Sequence, residues 1–288
     1  MAIDYDKLMS LAIPEREQAY TRKDSALYAL GLGVGLDPMR KADLSFVYEH
    51  EMKALPTMAV VLAHPGFWIR DLDTGIDWVK LVHGEQGLTL HKSLPPEGRV
   101  IGRTRVTEVI DKGAGRGALI YTERRLSEAA TGELLATVRQ VSFARADGGF
   151  GGPHRTQPAP HALPERSPDA IHDTSTSPQG ALIYRLSGDL NPLHADPETA
   201  LKAGFPRPIL HGLATYGIAG RAIIEAMAGN EPDRLIELDA RFTAPVFPGE
   251  TFRTEMWRDG EIISFRTRCL ERDAVAINNG RAVLRPEP

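Results

Sequence analysis

The chain changes its pattern of apolar and polar positions several times. Residues 211–229, HGLATYGIAGRAIIEAMAG, read as a long helix that stops at Gly229 and Asn230, both residues that suit a helix C-terminus. Its Gly212, Gly217 and Gly220 lower helix propensity but let other parts of the chain approach closely, which suits a helix enclosed by a sheet. The segments LIELDARFTAPV, ETFRTEMWRDG, EIISFRTRCLERD and AVAINNGRAVLRP follow, short and punctuated by turns, and predict an antiparallel sheet. Between Asp147 and Gly180 the apolar period disappears into Gly, Pro, Ser and His, and residues 147–176 read as a linker.

The flanks of that linker are weakly alike at an offset of about 150 residues. TRKDSALYALGLG (21–33) lies opposite SPQGALIYRLSGD (177–189), with Thr21 and Ser177 as candidate N-caps and Tyr28 coincident with Tyr184. LTLHKSLPPEG (88–98) parallels LDARFTAPVFPGE (238–250). The expectation is an α+β protein of two repeats, residues 1–146 and 177–288, each with a short capped helix, a loop, a longer helix and several strands.

Composition narrows the chemistry. A 288-residue chain, 42% hydrophobic, can form a sizeable core, and a formal net charge of −4 argues against a nucleic-acid partner. The longest apolar run, MAVVLA at 58–63, is too short for a membrane span, and MAIDYDKLMS lacks the features of a signal peptide, so neither a membrane partner nor secretion is expected. A single cysteine, Cys269, excludes an internal disulfide framework and reads as a small buried hydrophobe. No dinucleotide or Walker motif is present, and His154, His161 and His172 read as solvated linker residues without metal-ligand spacing.

The candidate chemistry lies in YRLSGDLNPLHADP, residues 184–197. Gly188 and Pro192 interrupt regular structure, Asp196 and Pro197 open the next helix, and Asp189, Asn191 and His194 are left in a compact loop. Downstream, PRPILHGLATYG sets Gly212 at a helix start, where unpaired N–H groups and a partial positive charge can stabilise an oxyanion. An acid–base pair beside an oxyanion hole is a working combination.

These two segments resemble the hydratase 2 motif of the MaoC-like (R)-specific enoyl-CoA hydratases, and the two-repeat layout resembles the eukaryotic-type double hot dog form. The resemblance implies a double hot dog fold, each repeat wrapping a long helix in an antiparallel sheet, and reversible hydration of trans-2-enoyl-CoA to (3R)-3-hydroxyacyl-CoA. It implies that Asp189 and His194 form the catalytic pair, that Asn191 positions them and water, and that the Gly212 N–H binds the thioester oxygen. The CoA thioester is then the substrate, and neither metal nor cofactor is expected. With Tyr28 laid on Tyr184, the slots of Asp189, Asn191 and His194 hold Gly33, Gly35 and Pro38, so the first repeat should be catalytically empty and available to the acyl tail.

Further candidates are less specific. Lys202, Arg207, Arg221 and Arg241 could meet CoA phosphates, while His211 and Tyr216 could contact substrate; Tyr216 and Phe205 also suit a core. A homodimer is expected, and a chain ending RPEP rather than S-K-L points to the cytoplasm. Two other functions fit a hot dog chain: an acyl-CoA thioesterase, which would release free CoA, and a non-catalytic acyl-CoA-binding protein.

Overall fold

The computed structural model describes residues 3–286, so Met1, Ala2, Glu287 and Pro288, on which the targeting reading touches, lie outside it. Seven α-helices are present among the described residues: α1 (Tyr5–Met9), α2 (Arg22–Gly31), α3 (Leu44–Val47), α4 (Trp68–Asp71), α5 (Gly180–Tyr184), α6 (Pro197–Lys202) and α7 (Gly212–Met227). The strands are β1 (Arg16–Tyr20), β2 (Leu81–Leu90), β3 (Gly98–Asp111), β4 (Ala118–Glu128), β5 (Leu134–Ala144), β6 (Ala170–Ser175), β7 (Leu235–Phe242), β8 (Thr251–Asp259), β9 (Ile262–Cys269) and β10 (Ala274–Leu284). They form one antiparallel sheet in the order β1-β3-β4-β5-β2-β7-β10-β9-β8-β6.

The order reads as two five-stranded halves joined at β2 and β7. At that seam Leu88 pairs with Leu238, the two positions that the sequence places in equivalent slots of the repeats. Antiparallel pairing of equivalent residues relates the halves by an approximate two-fold. The helices repeat the relation: Tyr28 of α2 and Tyr184 of α5 are both buried, with ring centroids 5.7 Å apart. Gly31 permits this approach, since a Cβ there would lie 3.1 Å from the Tyr184 Cα. Thr21 caps α2 through a full capping box. Ser177 does not cap α5: its hydroxyl accepts from the Gln179 N–H in a turn, and Gln179 occupies the cap position.

Helix α7 is apolar around most of its circumference, and residues 214–224 are all buried. Gly217 and Gly220 abut the first repeat. A Cβ at Gly217 would lie 2.8 Å from Leu32 Cδ1, and one at Gly220 2.8 Å from Thr57 Cγ2. Arg221, a candidate for CoA phosphates, is buried and bonds Asp43 (3.3 Å) and Glu225 (2.6 Å). Arg40 and His172 meet the same Glu225 at 2.6 and 2.8 Å. Buried charges persist when paired and hydrogen-bonded, and this cluster ties the 40–43 loop of the first repeat to α7 of the second.

The first repeat departs from expectation. Among the described residues it has no long helix; the place is taken by the mostly buried residues 54–63 around a 3-10 turn, Pro56–Val60. β-branched Val60 and Val61 and then Pro65 and Gly66 oppose helix propagation, and the sheet beneath is built differently. Following the pairings outward from Leu88 and Leu238, Arg124 corresponds to Ile263 and Gly102 to Met256. In the second repeat Ile263 and Met256 share a core with α7. In the first, Arg124 Nη2 donates to the Val60 carbonyl at 2.5 Å, and a Cβ at Gly102 would lie 2.5 Å from the Ala63 carbonyl. The sheet therefore grips an irregular segment by its carbonyls rather than a helix by its side chains.

The segment expected as a linker also contains more structure than expected. Residues 170–175 form β6, an edge strand paired with β8 from Ala170↔Met256 to Ser175↔Thr251. His161 is not solvated but bonds the Ser264 hydroxyl at 2.8 Å, and His172 lies in β6 against Glu225.

Candidate functional site

The loop after α5 is shaped by local signals. Gly188 takes φ 125°, a conformation that side-chain-bearing residues rarely adopt, and turns the chain. Asp196 caps α6 through the Glu198 N–H, with Pro197 in the first turn, as expected. Between them, Asn191 Oδ1 accepts from the Leu193 N–H at 3.0 Å and the Asn191 N–H donates to Asp189 Oδ1 at 3.1 Å. Asn191 thus fixes both the short turn that carries His194 and the carboxylate of Asp189.

His194 is buried and Asp189 is half-buried. The Nδ1–H of His194 donates to the Ile209 carbonyl at 2.9 Å, because a carbonyl can only accept. Burial lowers the proton affinity of the ring, outweighing that hydrogen bond and the Asp189 charge, both of which raise it. A neutral imidazole with Nδ1 protonated leaves a lone pair on Nε2, which stands 3.9 Å from Asp189 Oδ2. A basic nitrogen and a carboxylate oxygen at this separation can share one water molecule between them.

His211 is the N-cap residue of α7 and makes no side-chain cap bond, so the first-turn N–H groups, Gly212's included, have no partner from that side chain. A 16-residue helix directs partial positive charge to this end. A Cβ at Gly212 would meet Phe242 at 3.5 Å, an ordinary contact, so space alone does not demand glycine. His211, expected as a substrate contact, is 1% exposed and lies behind the pair: its ring stacks on His194 with centroids 3.6 Å apart and planes at 25°. Asp189, His194 and His211 each bring a ligand-type atom within 4.8 Å of the others. The in-plane lone pairs of two stacked rings lie in separate, nearly parallel planes, a geometry poorly suited to one shared ion.

The remaining candidates separate. Tyr216 is fully buried, with its hydroxyl donating to the Leu238 carbonyl at 2.7 Å, and belongs to the core rather than to a substrate surface. Arg241 is engaged across the seam by Glu85 at 3.0 Å, and Arg221 is buried in its ion cluster. Lys202 is on the exposed face of α6 near Glu198. Arg207 lies on the surface with its guanidinium 5.0 Å from the Phe247 ring centre, in a depression it shares with Pro206 and Arg272. Cys269 is buried and burial pushes its thiol up to about 12, so it is no nucleophile at neutral pH.

Two histidines of the first repeat escaped the sequence reading. His83 sits at a bulge in β2, its ring edge-on to Phe242 with centroids 4.9 Å apart, and Phe242 in turn flanks Gly212. His64 follows Ala63, whose φ is 47°, and is exposed to water. Burial pushes His83 down to about 4, while the Asp189 charge acts in the opposite direction. No sequence motif marks either of them.

Comparisons with known proteins agree with this architecture. A Mycobacterium tuberculosis protein with a double hotdog fold matches at TM-score 0.59 and 16% identity, covering 98% of both chains, which shows the fold. A MaoC-like dehydratase from Phytophthora capsici matches more closely, at TM-score 0.87 and 33% identity over 98% of this chain and 99% of that one. The MFE-2 hydratase 2 N-terminal domain matches residues 18–146 and the MaoC like domain residues 160–280. The probable enoyl-CoA hydratase 2 of Dictyostelium discoideum is 40% identical, with 99% of this chain and 98% of that one covered. The fold is therefore the α+β double hot dog of MaoC-like proteins. The chain belongs to the enoyl-CoA hydratase 2 family.

Proposed function

We propose that the chain reversibly hydrates trans-2-enoyl-CoA to (3R)-3-hydroxyacyl-CoA, with Asp189 and His194 as the acid–base pair. The observation that carries the reading is the free Nε2 of a neutral His194 facing the Asp189 carboxylate across 3.9 Å. A water molecule held there loses a proton to His194 Nε2 as its oxygen bonds the β-carbon. The electrons of the double bond move toward the thioester carbonyl, whose developing negative charge is met by the Gly212 N–H and the start of α7. The proton taken by His194 then passes back by way of Asp189 to the α-carbon, which restores the pair and balances the addition. The thioester itself accepts the charge, so the proposed reaction calls for no cofactor.

The first repeat, in this reading, is catalytically empty and houses the acyl tail. The absence of a long helix from residues 54–63 among the described residues, and the water-accessible His64 there, support that assignment. Arg207 is the cation proposed to meet a CoA phosphate, from its surface depression. We further propose a cytoplasmic homodimer; no helix of the described residues is long and apolar enough to cross a membrane, and exposed Leu182, Leu186 and Leu190 offer an apolar face.

The test is loss of enoyl-thioester absorbance with trans-2-enoyl-CoAs of short, medium and long chain. Wild-type protein should consume them without releasing thiol, and Asp189→Asn and His194→Gln should each be slower by about 10³-fold. Thiol release points to a thioesterase, and binding without turnover of any panel member points to an acyl-CoA-binding protein.

A further inference from the structure

His211 is too deeply buried to meet a thioester, yet it touches both members of the pair. Its Nε2–H donates to the main-chain carbonyl of Asp189 at 3.2 Å, and its face lies on the His194 ring at 3.6 Å. Tyr184 closes the remaining side, with ring centroids 4.9 Å apart. We infer that His211 is a positioning residue for the hydration: its hydrogen bond fixes the backbone of Asp189 while its ring fixes the plane of His194. This rests on Asp189 and His194 being the reacting pair.

The electrostatics require His211 to stay neutral for that purpose. Its Nδ1 is buried with no partner, so protonating it would place an N–H where no acceptor waits. Burial first, and then the neighbouring His194, push His211 down to about 4; Arg185 acts in the same direction, and the charge and carbonyl of Asp189 oppose it. A neutral aromatic face beside His194 favours the imidazolium that forms when His194 takes a proton, whereas a second imidazolium would repel it. The stack thus supports the charged stage of the cycle without competing for its proton.

Two substitutions separate the hydrogen bond from the ring. His211→Phe keeps a face and loses the donor; kcat should fall about tenfold while KM stays within about twofold, because the reacting groups are misaligned but substrate contacts are kept. His211→Asn keeps a donor and loses the face; the acidic limb of the kcat profile should move to lower pH as the His194 imidazolium loses support. Unchanged kcat and an unmoved limb in both variants would overturn the inference. Should neither variant fold, imidazole nitrogen NMR of wild-type protein at pH 6 is decisive: His194 protonated on Nδ1 and His211 on Nε2 supports it, and a charged His211 or reversed tautomers refute it. Active Asp189→Asn and His194→Gln variants, by contrast, would remove the hydration reading itself.

Discussion

The two repeats share a strand order and an inward-facing tyrosine but hold different things against their sheets. The second presents Met256 and Ile263 to a core that contains a 16-residue helix. The first presents Gly102 and Arg124 to an irregular segment, and Arg124 donates to two of its carbonyls, Ala59 and Val60. A helix satisfies its own backbone and can be packed by apolar side chains; a segment without one must have its carbonyls answered by the sheet. The same scaffold therefore holds a helix with an organised N-terminus in one half and an irregular segment, bonded through its carbonyls, in the other.

The comparison breaks first at the helix start. Gly212→Pro removes one N–H at a first-turn position where proline is tolerated, and His211 already has the extended ψ of 138° that a residue before proline prefers. The variant should fold and lose about 10²- to 10³-fold in kcat, whereas Gly212→Ala, which keeps the N–H and meets Phe242 only at ordinary distance, should stay within several-fold. Pro38→Ala, in the first repeat's counterpart of the His194 slot, should leave turnover unchanged in the same assay.

The join between repeats is the next most sensitive element. Arg221→Ala removes the most deeply buried cation of the cluster and leaves Asp43 and Glu225 to Arg40 and His172, and chemical denaturation should register a loss of about 1.5–3 kcal/mol. Acid probes the same cluster. Burial alone would raise the Glu225 carboxyl, but the His172 hydrogen bond and the Arg221 and Arg40 ion pairs bring it down to about 2 from an ordinary 4.5. Its contribution is then complete above pH 4.5 and is lost as pH falls through 2, on the order of 3 kcal/mol. Urea midpoints should fall over that window more steeply for wild type than for Glu225→Gln; parallel curves would show that the carboxyl is not held this way.

A smaller effect sharpens the account of the first repeat. Gly102→Ala drives a Cβ toward the Ala63 carbonyl, 2.5 Å away, so residues 60–64 must shift. The expected cost is about 1–3 kcal/mol, read as a lower thermal midpoint. If the shift also moves His64, the chain-length profile of the enoyl-CoA panel should change while turnover of the shortest member does not.

What could be read from the sequence were features with local causes. Gly188, Pro192, Asp196 and Pro197 each restrict their own backbone, so the loop carrying Asp189 and His194 is legible residue by residue. The glycines of α7 likewise announce close neighbours. The missing helix of the first repeat is not legible, because MAVVLA suits a buried helix as well as a buried turn, and the deciding residues, Gly102 and Arg124, lie far along the chain. Strand β6 owes its existence to pairing with β8 rather than to its own polar residues, and Arg221 reads as a surface cation until Asp43 arrives from the other repeat. The burial of His211 behind His194 is equally a matter of tertiary packing.

The seam at Leu88 and Leu238 carries a last implication. In an assembly of two identical chains every substitution is made twice, so an arginine placed under one irregular segment would also displace the helix of the partner. Joining the halves in one polypeptide removes that coupling. Arg124 can exist without an arginine at Ile263, and each half can be altered for its own task while the symmetric seam between them is kept.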